Sequence, residues 1–129
     1  LLEFGFETFL EKFTNFINLM LWSLFASEAG FEGFYGSSMY IVSYEQSSKL
    51  PAHPEHVDQC DLTLNLCLEE ATRGGSFILG NGEDKVKMKV KKGQCVVHPG
   101  STPHQVTPVK EGRRTHLIIW MKRKDLFPQ

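Results

Sequence analysis

Residues Lys85–Met121 read KVKMKVKKGQCVVHPGSTPHQVTPVKEGRRTHLIIWM, and the way this stretch divides decides the fold. Four short runs, Lys85–Val90, Gln94–Val97, His104–Val109 and Thr115–Met121, are rich in β-branched or alternating residues, and Lys-Lys-Gly, Pro-Gly and Glu-Gly turn signals part them. In the first run Lys85, Lys87, Lys89 and Lys91 share one face while Val86, Met88 and Val90 share the other. That is the pattern of a half-buried strand whose lysine face is solvated and guards a sheet edge. Nearer the N-terminus, Met39–Tyr44, Leu62–Leu68 and Ser76–Leu79 have the same strand character, with Gly-Gly and Asn-Gly as turn signals. Many short strands around one core must close on themselves or fold into two facing sheets, and the double-sheet jelly roll is one such solution.

Before the strands the period changes. From Leu2 to about Phe25 the residues Phe6, Phe9, Leu10, Phe13, Phe16, Ile17, Met20, Leu21 and Leu24 recur at three- and four-residue steps, which predicts one long amphipathic helix. Glu7, Glu11, Asn15 and Asn18 fall on the complementary face, so the apolar stripe is expected to pack against a sheet. Ala29–Ser38 (AGFEGFYGSS) is rich in glycine and small polar residues and reads as a loop. The fold class is therefore mainly β with an N-terminal helix, taken as one domain over 1–129 with the helix at about 2–25 and the β core at about 37–122.

Of the 129 residues, 41% are hydrophobic and 22% charged, the balance of an ordinary globular protein. Fourteen basic against fifteen acidic residues give a formal net charge of −1, which offers no global pull toward nucleic acid or an anionic membrane. The lysine face lacks interleaved aromatic residues for base stacking, and nucleic acid is not the expected partner. Cys60, Cys67 and Cys95 form no CxxC pair and are expected to be reduced thiols. The apolar stretch Phe13–Ala26 is shorter than the roughly 20 residues of a membrane span and contains Thr14, Asn15 and Asn18. The chain opens on Leu1-Leu2 rather than Met, as expected of a fragment, and a targeting segment upstream would escape this reading. Oligomeric state is not legible, and the cytoplasm and the endoplasmic reticulum both stay open as compartments.

Pro54-Glu55-His56-Val57-Asp58 leads straight into the strand Leu62–Leu68. Alternation along an extended chain puts His56 and Asp58 on one face, where they can share a metal. A third ligand is available at His104, just after His98-Pro99-Gly100. Two His and one carboxylate leave adjacent coordination positions open, the facial triad of non-haem Fe(II) oxygenases. Ten residues beyond His104 comes Arg114, and a buried guanidinium there would clamp a carboxylate through two parallel hydrogen bonds.

The ordered set YIVSY (40–44), EHVDQCDLTLNLCLEE (55–70), GGSF (74–77), KKGQCVVHPGSTPHQVTPVKEGRR (91–114) and HLIIW (116–120) resembles the Fe(II)- and 2-oxoglutarate-dependent dioxygenases of the prolyl and lysyl hydroxylase type. The resemblance implies a double-stranded β-helix of the jelly-roll, cupin-like kind, with the N-terminal helix bracing its major sheet. It implies iron held by His56, Asp58 and His104, and Arg114 as partner of the far carboxylate of 2-oxoglutarate. It also implies cosubstrate contacts at Tyr44, Thr63 and Asn65, and hydroxylation of a C–H bond with O2, yielding succinate and CO2, with ascorbate as an optional reductant. Arg113 competes with Arg114; counted back from Trp120, the even positions Ile118, His116 and Arg114 share the inward face, which favours Arg114. His116 shares that face as a packed or supporting residue, His98 is expected to be structural, and His53 and Pro54 are expected in a mouth loop. Cys67 stands where hypoxia-type prolyl hydroxylases carry an aromatic residue. The loop SSKLPAHPE matches nothing in the family, and such loops choose the substrate, expected here to be a protein or peptide.

Two other readings stay open in the sequence. A cupin-like module would hold metal on the same three residues without turning over 2-oxoglutarate, and would have no use for an inward Arg114. An interaction domain would use the aromatic helix as a docking face, its His and Asp being incidental.

Overall fold

Pairing between strands follows the alternation in the sequence closely, and extends it at both ends of the chain. The computed structural model describes residues 3–25, 27, 31–48 and 52–125. Its elements are α1 (Glu3–Phe25), β1 (Phe31–Glu45), β2 (His53–His56), β3 (Leu62–Glu69), β4 (Arg73–Gly74), β5 (Phe77–Leu79), β6 (Val86–Met88), β7 (Cys95–Pro99), β8 (His104–Val106), β9 (Val109–Glu111) and β10 (Arg113–Asp125). Leu2, Ala29, Gly30 and Pro51, on which parts of the expected helix and loops fall, lie outside the described residues, as do the side chains of Phe6, Leu10 and Leu24.

A four-stranded sheet runs β1-β10-β3-β7, a second runs β2-β8-β5-β6, and β4 pairs with β9. All pairings are antiparallel. Cys67 from the first sheet packs with Phe77 and Val106 from the second, so the two sheets face each other as the jelly-roll expectation requires. Side-chain parity divides the first sheet cleanly. Leu62 and Leu64 of β3 and Ile119 and Met121 of β10 form a core with Ile17 of α1 and Phe34 of β1. Thr63, Asn65 and Cys67 of β3, with Arg114, His116 and Ile118 of β10, are buried as well and belong to the opposite parity, turned toward the second sheet. Burying Leu64, Ile119 and Met121, each at most 1% exposed, contributes about 1.5–3 kcal/mol apiece.

Four expectations are corrected. Residues 31–38 are not a loop but the first half of β1, paired with Trp120–Asp125; the register shifts at Phe31/Gly33 and Gly36/Ser38 absorb the glycines. Sheet pairing there overrides local propensity. The helix buries a narrower stripe than its apolar residues suggest: Phe13, Ile17 and Leu21 meet the sheet, while Phe9, Phe16 and Met20 are 46%, 55% and 63% exposed. Asn18 is not on the solvent side; its Nδ2 donates to the Phe34 carbonyl (2.8 Å) and its Oδ1 accepts from the Phe34 N–H (2.7 Å), tethering α1 to β1. Finally, His53 and Pro54 are not in a loop but open β2, which pairs with β8. β6 is an edge strand as expected, with Lys85, Lys87, Lys89 and Lys91 exposed and Val90 buried, but Val86, expected on the buried face, is 55% exposed. Among the described residues no helix is long and apolar enough to cross a membrane.

Candidate metal centre

His56 and His104 are direct cross-strand partners on β2 and β8, which sets their imidazoles side by side, ring centroids 4.2 Å apart. Asp58 follows β2 by two residues and is fixed by its backbone, its N–H donating to the Gly100 carbonyl (2.9 Å), while the Gly100 N–H donates to the Asp61 carbonyl (3.1 Å). This close seam explains the glycine of His98-Pro99-Gly100, since a Cβ at position 100 would lie 2.1 Å from the Cys60 carbonyl oxygen. The Asp58 carboxylate accepts a hydrogen bond from Thr63 Oγ1 (2.5 Å).

The three side chains converge. His56 Nε2 lies 3.6 Å from Asp58 Oδ1 and His104 Nε2 3.5 Å from Asp58 Oδ2, and one ligand atom of each lies within 4.8 Å of the others. The imidazole tautomers suit a metal: His56 Nδ1–H donates to the Pro54 carbonyl (2.8 Å) and His104 Nδ1–H to that of Thr102 (2.9 Å), leaving each Nε2 as a bare acceptor. Burial holds His104 below the ordinary imidazole range, in the neutral form that ligation needs. Two imidazoles and one carboxylate fit Fe(II), with half of an octahedron left for other ligands.

A cleft with about 400 Å³ of empty space opens over these residues, walled by Val42, Phe77, Val106 and Ile118. Tyr44, Thr63, Asn65 and Arg114 all line it. Arg114 is 2% exposed, and among the described residues it has no carboxylate partner. Its Nη2 lies 3.4 Å from His116 Nδ1. That nitrogen is already committed, because His116 Nδ1–H donates to Asn65 Oδ1 at 2.5 Å. A buried cation without a counter-charge is expensive, and burial pulls the guanidinium down to about 10, still charged at neutral pH. Burial first and Arg114 second push His116 down to about 3, so it is a neutral imidazole. Arg113, one residue away, is exposed and donates from Nε to Glu69 (2.8 Å).

The structure thus brings Tyr44, His56, Asp58, Thr63, Asn65, His104 and Arg114 into one cleft. Thr63 lines the cleft, and its hydroxyl donates to the Asp58 carboxylate. His98 is 2% exposed, sits on β7 behind His104 with ring centroids 4.6 Å apart, and donates from Nδ1 to the Pro99 carbonyl (2.8 Å), a structural place. Cys67 packs in the core beside Phe77 rather than lining the cleft. Tyr40, Val42, Phe77 and Val106 line the cleft without being singled out in the sequence, and His53, expected in a mouth loop, lines it too. Tyr40 shares the inward parity of Val42 and Tyr44, a signal the alternation of β1 carried. His53 stands three residues before His56, which simple alternation sends to the opposite face; the register shift between them on β2 turns both inward.

Residues 39–122 match the family model described as "2OG-Fe(II) oxygenase superfamily". Over 81 residues the chain is 30% identical to a PKHD-type hydroxylase of Shewanella baltica (strain OS185), covering 61% of this chain and 36% of that protein, so it spans about a third of the length of such relatives. An oxidoreductase of the 2OG-Fe(II) oxygenase family from Burkholderia pseudomallei superposes with a TM-score of 0.69 at 18% identity, covering 84% of this chain and 51% of that one. The collagen prolyl hydroxylase of Paramecium bursaria Chlorella virus-1, in its 2OG complex, gives 0.66 at 19% identity, covering 88% and 72%. Both structures share the double-stranded β-helix fold with this chain.

Proposed function

The chain belongs to the 2OG-Fe(II) oxygenase superfamily, and on that premise we propose that it is a 2-oxoglutarate-dependent dioxygenase that hydroxylates a C–H bond on a protein side chain. The observation that carries this reading is Arg114, a buried guanidinium with no carboxylate partner among the described residues, in the same cleft as the converging His56, Asp58 and His104. A dicarboxylate supplies the missing counter-charge, whereas a module that only held metal would gain nothing from burying it.

His56, Asp58 and His104 would hold the ion through two Nε2 atoms and a carboxylate oxygen, Thr63 and the Gly100 seam keeping Asp58 in place. When bound, Fe(II) and 2-oxoglutarate supply the oxidising chemistry: O2 is consumed, one atom entering the substrate C–H bond and the other the succinate that forms as CO2 leaves. Arg114 binds the far carboxylate, and neutral His116, hydrogen-bonded to Asn65, closes the cleft behind it without adding charge. Val42, Phe77, Val106 and Ile118 exclude water from the reacting end. The substrate class is supported by the activity named for the viral neighbour, collagen prolyl hydroxylation.

Incubation with Fe(II), ascorbate and carboxyl-labelled 2-oxoglutarate should release labelled CO2 slowly even without substrate, and silence would return the protein to the metal-holding module. Mass spectrometry of candidate proteins should then show a gain of one oxygen that depends on active enzyme. Gains confined to small molecules or nucleic acids would remove the protein-substrate assignment while leaving the reaction.

A further inference from the structure

His53 lines the cleft without joining the metal-holding set. Its ring stacks on His56, centroids 4.0 Å apart at 29°, and stands edge-on to Tyr44 at 6.2 Å and 89°. Its Nδ1 lies 2.6 Å from Tyr44 Oη. Tyr44 in turn is the direct cross-strand partner of Arg114 in the β1–β10 pairing. One imidazole therefore connects the residue beside the buried guanidinium to the ring of a metal-holding histidine.

We infer that His53 is a positioning residue that fixes the direction of the Tyr44 hydroxyl proton, making Tyr44 a donor to the keto diacid; this rests on the cosubstrate reading above. A hydrogen bond between a phenol and a neutral imidazole nitrogen runs one of two ways. With Nδ1 bare, the Tyr44 O–H donates to it and only lone pairs of Oη face the cleft. With the proton on Nδ1 and Nε2 bare, His53 donates to Oη, and the phenol proton is free to turn toward the cleft. The imidazole is neutral in both arrangements, so the change is of tautomer and not of charge. A dicarboxylate drawn in by Arg114 can only accept, and it selects the second arrangement, in which Tyr44 donates to a ligand oxygen. A third donor beside the two parallel bonds of a guanidinium also restricts how the ligand tilts, which matters where its other end must reach the metal-holding residues.

The test is calorimetric titration of 2-oxoglutarate into the chain loaded with Ni(II), which allows binding without turnover. Tyr44→Phe should weaken 2-oxoglutarate about tenfold, the loss of one hydrogen bond to a charged group, and His53→Leu, which leaves the phenol proton in place but undirected, should weaken it by a smaller factor, about threefold. The double variant should be no weaker than Tyr44→Phe alone, because His53 acts only through the Tyr44 hydroxyl. Ni(II) affinity should stay within about twofold of the parent. His53→Asn, whose amide N–H falls near the Nδ1 position, should recover most of the loss; His53→Gln, which reaches the Nε2 position instead and preserves bulk, should not. Multiplying effects in the double variant, an unchanged affinity in His53→Leu and His53→Gln, or a loss of Ni(II) affinity equal to the loss for 2-oxoglutarate would each overturn the assignment, the last showing that the ring only packs on His56. A parent chain that binds Ni(II) yet takes up no 2-oxoglutarate would sink the cosubstrate reading itself, and this one with it.

Discussion

Arg113 and Arg114 are the same chemistry in opposite surroundings. Arg113 is exposed and paired with Glu69, a contact that stabilises little at a surface, while Arg114 is 2% exposed and lacks an anion among the described residues. Arg114→Ala should therefore raise the KM for 2-oxoglutarate roughly 10- to 100-fold with kcat less affected, and Arg113→Ala should leave it within about twofold. Arg114→Lys should recover little, since an ammonium cannot make the paired bonds of a guanidinium. The reverse ranking would mean that the inward parity of β10 is off by one residue. His116 makes a second prediction, of pH dependence. Folded, it stays neutral down to about 3, whereas an imidazole in the unfolded chain takes up its proton near 6.5. Between those values the unfolded chain binds the extra proton, so stability is full above about pH 6.5 and falls as pH drops toward 3. Thermal melts of metal-free protein across that window should show the decline, and His116→Asn should flatten it without abolishing it, because burial holds His98 and His104 low as well.

At the scale of elements, the site depends on a seam between a turn and a loop. The turn after β7 and the segment Asp58–Asp61 are stitched by two backbone hydrogen bonds, and they approach so closely that a methyl group at position 100 has no room beside the Cys60 carbonyl. Gly100→Ala should push the Asp58 loop away from His56 and His104, weakening metal binding about 10- to 100-fold, as is usual for the loss of a ligand's supporting contact. Metal affinity at the parent level would show that Asp58 is held by Thr63 alone. The same logic of close approach recurs beside Arg114, where Gly75, at a φ of +65°, leaves space for the arginine stem; a Cβ there would stand 3.2 Å from its Cδ. Helix α1 acts at one remove, covering the outward residues of β3 and β10 and so holding rigid the strands whose inward residues build the cleft.

Across the whole molecule, three metal-holding residues from β2, the loop after it and β8 must come together in the folded state only, so metal binding adds to folding stability. A divalent ion at a hundred times its Kd should stabilise the chain by about 2.7 kcal/mol, a rise in Tm of roughly 10 °C for a domain of this size. Asp58→Ala should abolish that rise, and a rise that survived it would place the ion elsewhere. Much of this was legible in the sequence, because alternation and turn residues are local. The strand-rich core and the shared faces of Thr63 with Asn65 and of Arg114 with His116 and Ile118 follow from alternation, while the family resemblance supplied which face is inward and the roles of Tyr44, His56, Asp58, His104 and Arg114. Tertiary pairing decided the rest. Glycines that read as a loop at 31–38 were drawn into β1 by β10, and a register shift on β2 turned His53 into the cleft against its own alternation. The helix buried only the residues that a sheet could reach, leaving Phe9, Phe16 and Met20 outside. Likewise, that Arg114 lacks an anionic partner among the described residues depends on what lies around it in space, which the order of residues along the chain does not record.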